Sequence, residues 1–290
     1  MKIIPVFYTD KMAANNQGGF SPSAYKPKQV VESWLDQELP IQIIQPQPVT
    51  IEQLCLAHAS DYVLGVLSLK MDNGFGTKSQ AVADALPYTS GSMLSAARHV
   101  LEHGGVACSP TSGFHHACYQ YGGGFCTFNG LMVIALALKQ EGKVSRVGIL
   151  DCDYHFGNGT IDIIQQLQID WIKHYTNGGM YKATSKDDAY TFLKQVPKLI
   201  ADLSDCDIIL YQAGVDAHVD DPLGGFLTSD QMRERDLTVF KEAKSWNIPI
   251  AWNLAGGYQV ELFPSGKTSI RKVLDLHDIT MRQCIKTYLG

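Results

Sequence analysis

The chain has 290 residues, 45% of them hydrophobic, enough to bury one substantial core and consistent with a single α/β domain over residues 1–290. Its 24 basic and 29 acidic side chains leave a formal charge of −5, which offers no general attraction for nucleic acid or an anionic membrane. Partners must be argued from a site, and no residue pattern points to an oligomeric state.

The amino-terminal MKIIPVFYTD carries an apolar run, Lys2 to Phe7, that reads as a strand; it lacks the long apolar core of a signal peptide. A second strand is expected over Ile41 to Gln45, and Met71 to Pro87 reads as a surface loop bordering a cleft. Helix-length amphipathic stretches then alternate with short β-branched runs. The helices are Tyr88 to His103, Phe128 to Glu141, Asp187 to Leu203 and Ser229 to Trp246. The strands are Gly105 to Cys108, Arg146 to Cys152, Asp207 to Tyr211 and Ile248 to Leu254. This alternation predicts a parallel sheet covered on both faces. No run reaches membrane-spanning length. Seven cysteines, an odd number without a Cys-x-x-Cys pair, suggest neither a disulfide framework nor a zinc ribbon, and reduced thiols in a cytoplasmic protein are expected.

The unusual residues fall directly after predicted strands, where open α/β sheets bind ligands. In ILDCDYHFGNGT, Asp151, Asp153 and His155 are spaced by two, so an extended backbone points them the same way. Capping the helix that opens near Gly157 would explain one isolated aspartate. Two carboxylates and an imidazole at a buried strand end carry a desolvation cost of several kcal/mol unless paired or metal-bound, which favours a divalent cation, zinc being the usual one. Asp216, in YQAGVDAHVDDPLGG, follows another strand and supplies a third candidate ligand, leaving a coordination position open. His218, Asp220 and Asp221, running into Pro222, read as turn chemistry.

The adjacent His115 and His116 stand before the glycines 122–124. An imidazole pair near a metal site suits proton transfer, and Asp151 and Asn158 are available to orient one ring each. Tyr258, after Gly256 and Gly257, is placed to donate to a developing oxyanion.

In combination, GFHHA, GGGFCTFNG, DCDYHFGNGT, AGVDAHVDDPLG and AGGY resemble the histone deacetylase family from about His58 to Tyr258, as a compact bacterial-type or class II/IV-like member. The resemblance implies an arginase-like fold with a mostly parallel sheet of about eight strands. It implies Asp153, His155 and Asp216 as ligands of Zn2+, with Fe2+ able to take its place, and His115 and His116 as the tandem imidazoles. Asp151 then stands behind His115 and Asn158 behind His116. Tyr258 polarises the carbonyl, Phe125 walls an acyl-lysine tunnel, and Gly124, Gly256 and Gly257 let backbone approach the substrate. The implied reaction is hydrolysis of an acyl-amine bond, most readily of N-ε-acyl-lysine, in which His116 takes a proton from the attacking water and His115 assists electrostatically. An acetylpolyamine is the alternative substrate, and a non-catalytic acyl-lysine binding module the alternative of another class. A two-manganese ureohydrolase would need further aspartates.

Two departures stand out. Where the family has a hydroxyl contributing to a monovalent cation site, DWIKHYTNGG places Ile172, with Lys173 beside it, so that site is in doubt and the Lys173 ammonium is expected to replace the cation next to Asp151 and Asp153. No FFPG-like segment follows, leaving Met180 or Tyr181 as candidates for the second tunnel aromatic.

Overall fold

The computed structural model describes residues 3–14, 21–179 and 181–290. Its frame is a seven-stranded sheet: β1 (Ile4–Phe7), β2 (Ile41–Ile44), β3 (Val106–Ser109), β4 (Val147–Asp151), β5 (Ile172–Tyr175), β6 (Ile208–Gln212) and β7 (Ile250–Asn253). The strands lie in the order β2-β1-β3-β7-β6-β4-β5 and every pairing is parallel. The main sheet has seven strands rather than about eight; a separate antiparallel pair, β8 (Glu261–Leu262) and β9 (Thr268–Ser269), stands beyond it.

Alternation along the strands builds two cores. Ile209 and Tyr211 of β6 and Ile250 and Trp252 of β7 face α1 (Lys26–Asp36), α7 (Ala189–Ala201), α8 (Ser229–Ser245) and α9 (Arg271–Tyr288). Ile208, Leu210 and Ala251 face the other way, toward α3 (Ser60–Leu67), α4 (Gln80–His103), α5 (Gly130–Gln140) and α6 (Asn158–Gln166), while α2 (Ile51–Leu54) adds Leu54 to that side. Strands buried on both faces must be apolar throughout, which is why they read as β-branched runs. Among the described residues, no helix is long and apolar enough to cross a membrane.

The expected loop over Met71 to Pro87 is shorter than predicted, because α4 begins at Gln80. Ser79 caps it by accepting from the Val82 amide, and Pro87 lies inside the helix. Proline removes one amide donor there, yet the packing of a 24-residue helix carries the turn, and the Pro87 carbonyl accepts from Val49.

Candidate active site

The sheet register prepares the site. Ser109, Asn253, Gln212 and Asp151, the last residues of β3, β7, β6 and β4, lie side by side in one polar row across the centre of the sheet. All four are fully buried, so each must find partners. Gln212 donates to Asp151 Oδ1 at 2.9 Å and accepts from the Phe114 amide at 3.1 Å, tying the loop after β3 to the end of β4. Asn253 Nδ2 donates to the Ser112 carbonyl at 3.2 Å.

Just beyond this row, Asp153, His155 and Asp216 converge, with one ligand atom from each lying within 4.8 Å of the others. His155 Nδ1 stands 3.2 Å from Asp153 Oδ1 and 2.9 Å from Asp216 Oδ2. Ligand bonds of about 2.0–2.2 Å put tetrahedral ligand atoms about 3.3–3.6 Å apart, so one oxygen, nitrogen, oxygen set fits a zinc-sized ion after a small outward shift. Both carboxylates are buried. Burial opposes their ionisation; the charges of His115 and His155 nevertheless hold Asp153 well below the usual carboxylate range. Burial and the negative charge of Asp153 push Asp216 up to about 7. Burial works against a charged His155, but Asp153 and Asp216 outweigh it and raise the imidazole to about 11. Two buried carboxylates and an imidazole so close together form a group that could hold a metal ion.

The two neighbouring histidines have opposite environments. His115 Nδ1 pairs with Asp151 Oδ2 at 2.7 Å, and although burial disfavours its charge, Asp151 and Asp153 raise it to about 9. His116 Nδ1 pairs with the neutral Asn158 Oδ1 at 2.6 Å. Burial and the adjacent charge of His115 lower it to about 4. The ring centroids are 4.1 Å apart.

Glycine makes room for this packing. A Cβ at Gly124, where φ is +54°, would lie 2.3 Å from His116 Cδ2, and one at Gly256 would lie 2.3 Å from Asp216 Oδ2. The Gly256 amide donates to Asp153 Oδ2 at 2.8 Å. Gly257, at φ +148°, has a conformation that L side chains rarely adopt. Tyr258 is buried, and its ring centroid lies 5.6 Å from that of Phe125 and 6.4 Å from that of His155. Burial, Asp153 and Asp216 hold its phenol well above the ordinary tyrosine value, so it remains a donor.

Several expectations are corrected. Lys173 does not face Asp151: its ammonium donates to the Asp202 carbonyl and to Asp205 Oδ1, each at 2.6 Å, at the partly exposed opposite end of β5. Ile172 pairs with Val147 and Tyr175 with Leu150, so the residue opposite Asp151 is Thr176. Thr176 Oγ1 donates to Asp151 Oδ2 at 3.4 Å and accepts from the Gly157 amide at 2.9 Å. His174 Nε2 is 3.9 Å from the same carboxylate oxygen. Tyr181 is buried and donates to the Asp151 carbonyl at 2.6 Å, so it walls no tunnel. Met180 lies outside the described residues. The aromatic side chains near the rim are Phe75, 5.8 Å from Phe125 between centroids, and the exposed Phe156, which packs over Gly178 and Gly179.

Asp221, read as turn chemistry, also accepts the Tyr258 amide at 2.8 Å. Lys26 carried no signal in the sequence. Its fully buried ammonium donates to the Ala255 carbonyl at 2.5 Å, and burial lowers it to about 8 despite the attraction of Asp216 and Asp153. His58, where the resemblance begins, contacts the Cys118 carbonyl at 2.9 Å and accepts the Asn129 amide at 2.8 Å.

Comparison with known proteins bears on the family and the fold. The family pattern described as the histone deacetylase domain matches residues 22–177 and 169–274. An uncharacterised protein of Picosynechococcus is 30% identical over 241 residues, covering 76% of this chain and 79% of that one. Histone deacetylase 2 of Arabidopsis thaliana is 28% identical over 67% of this chain and 52% of its own length, so the match spans about half of that plant relative. Acetylpolyamine amidohydrolase 2 of Pseudomonas aeruginosa is 50% identical over 56 residues, 19% of this chain and 15% of that one. The crystal structure of the HDA15 HD domain superposes with a TM-score of 0.77 at 19% identity, over 99% of this chain and 90% of that one, and shares the fold. The five motifs, the parallel sheet that carries them and the family match together place the chain in the histone deacetylase family, whose members include hydrolases of amide bonds.

Proposed function

We propose that the protein hydrolyses the bond between an acyl group and an amine nitrogen, with Asp153, His155 and Asp216 as ligands of one divalent cation, Zn2+ or Fe2+. The observation that carries this reading is the trio's oxygen, nitrogen, oxygen geometry beside two imidazoles of opposite protonation. A bound cation would supply Lewis acidity toward the acyl carbonyl and the attacking water.

The chain's own groups divide the remaining work. His116, neutral at physiological pH, takes a proton from water as general base. Its partner Asn158 orients the ring through Nδ1, leaving Nε2 to accept. His115, kept cationic by Asp151, stabilises negative charge on the tetrahedral intermediate. Tyr258 donates to the developing oxyanion while its backbone is held by Asp221. The collapsing intermediate expels the amine, which receives the proton.

Acyl-lysine is the favoured substrate. Phe125, its ring centroid 5.6 Å from that of Tyr258, also borders an apolar hollow lined by Phe75, Leu86, Phe114 and Phe128 but by none of the candidate ligands or imidazoles, a surface suited to an aliphatic group beside the site. The stretch 50% identical to a Pseudomonas acetylpolyamine amidohydrolase supports acetylpolyamines as the second reading. A hydrolysis panel of acetylated and longer-acyl lysine peptides against acetylpolyamines separates them. Metal analysis should find one equivalent per chain, and Asp216→Ala should lose metal and turnover together. Two equivalents in the wild type, or full occupancy in the variant, would contradict the ligand assignment.

A further inference from the structure

Behind the candidate metal centre, α8 places a cation that nothing in the motifs marks. Arg235 and its neighbour Asp236 are both fully buried. A guanidinium taken wholly from water is costly unless it is paired and hydrogen-bonded. Arg235 Nε donates to Asp236 Oδ1 at 2.8 Å, and Nη1 donates to the carbonyls of Gly214 at 2.7 Å and Cys152 at 3.1 Å; Nη2 has no partner among the described residues. Asp236 is held in turn by Tyr211 Oη at 2.5 Å and Thr280 Oγ1 at 2.6 Å, from β6 and α9.

The two carbonyls belong to the segments that carry the candidate ligands. Cys152 immediately precedes Asp153, and Gly214 lies two residues before Asp216. β4 and β6 pair as far as Asp151 and Gln212, with one more bond from the Cys152 amide to the Gln212 carbonyl at 3.0 Å. Beyond that point no strand pairing relates the two segments, yet they touch: a Cβ at Gly214 would lie 2.6 Å from Asp153 Cα. One guanidinium nitrogen spans them where the ladder stops.

We infer that Arg235 is a positioning residue for the metal centre, setting the spacing of the Asp153 and Asp216 carboxylates by bridging the carbonyls of Cys152 and Gly214. The inference rests on the ligand assignment proposed above. Its geometry requires arginine, because the planar fork serves Asp236 with one nitrogen and both carbonyls with another. A lysine has a single nitrogen and must forfeit one side.

The test measures Zn2+ affinity of the metal-stripped full chain by competition with a chromophoric chelator, alongside metal-free thermal unfolding, for Arg235→Lys, Arg235→Met and Thr280→Val. Both Arg235 variants should weaken Zn2+ binding by about 10- to 100-fold, Lys less than Met, as loss of groups that orient ligands does elsewhere. Thr280→Val loosens the same buried cluster without touching either carbonyl, so it should lower the melting temperature and leave Zn2+ affinity within about twofold. If Arg235→Met fails to fold, the comparison of Arg235→Lys with Thr280→Val decides. Unchanged Zn2+ affinity in Arg235→Lys, or an equal loss in Thr280→Val, overturns the inference and leaves Arg235 a core residue only. Wild-type protein that binds no Zn2+ would instead overturn the ligand assignment beneath it.

Discussion

At the scale of single residues, two adjacent buried imidazoles are shifted in opposite directions: burial and the charge of His115 lower His116, while in His115 burial is outweighed by Asp151 and Asp153, which raise it. His116 must be neutral to accept a proton, so the acidic limb of kcat/KM should follow its pKa and lie well below the usual imidazole range, toward about 4. Asn158→Asp puts a carboxylate against His116 Nδ1, where the amide oxygen now sits at 2.6 Å. Negative charge there favours the imidazolium, so the limb should move to higher pH. A profile that stays in place would separate that limb from His116. Tyr258→Phe would remove the proposed oxyanion donor and leave the proposed cation ligands intact, so kcat should fall by about 10² to 10³ with metal retained. Wild-type kcat in that variant would remove Tyr258 from the chemistry. Both residues could be singled out from the sequence because their motifs are contiguous. Arg235 and Lys26 could not, because a buried cation looks like any surface Lys or Arg until its neighbours are known.

At the scale of elements, the site is a property of strand ends. The motif after β4 was readable because its two carboxylates and imidazole are contiguous in the chain; the expected extended spacing does not hold, since the strand ends at Asp151 and Asp153 to His155 lie in the bend that follows. The β5 register was not readable, because short strands with no turn signal can slide by several residues in an alignment. Lys173, expected beside Asp151 and Asp153, instead lies at the other end of β5, and Thr176 stands next to Asp151. Lys173→Ala should accordingly leave turnover and its dependence on potassium unchanged, because an exposed ion pair at the far end of β5 contributes little. A steep change in potassium dependence would return Lys173 to the site. Gly256→Ala should abolish metal binding and reduce kcat/KM by at least about 10², since its methyl would meet both candidate carboxylates, at 2.3 Å from Asp216 and 2.7 Å from Asp153. Retained metal affinity in that variant would show that the turn can retreat.

At the scale of the molecule, buried imidazoles set how stability responds to acid. Burial lowers His58 to about 4, against the weaker raising effect of its contacts with backbone carbonyls, and lowers His277 well below its ordinary value, with Lys26 and Arg235 acting in the same direction. Burial likewise lowers His116 to about 4. Unfolded chains protonate these rings near pH 6.5 while the native state does not, so their contribution is present above about 6.5 and lost as pH falls toward 4. The carboxyls of Asp216, raised to about 7, and of Asp221 and Asp278, raised chiefly by burial, give the opposite slope, three groups against five once the lowered His99 and His218 are counted. On the alkaline side, stability from His115 and His155, raised to about 9 and about 11, is complete below about 6.5 and lost as pH rises through those values. Metal-free protein should therefore be most stable near neutrality, and urea unfolding at pH 5, 7 and 9 checks it. A midpoint that rises from pH 7 to pH 5 would contradict the acid branch.

The amino-acid sequence by itself determined the parallel α/β class, the strand ends that carry chemistry and the family motifs, because hydrophobic period and contiguous motifs are local properties of the chain. Only the tertiary structure decided that Tyr181 lies in the core, that Thr176 rather than Lys173 stands by Asp151, and that Asp221, Lys26 and Arg235 bond the backbone of Tyr258, Ala255 and Gly214. Those contacts join residues far apart in sequence, and their existence depends on strand register and on which buried carbonyls are left without a ladder partner.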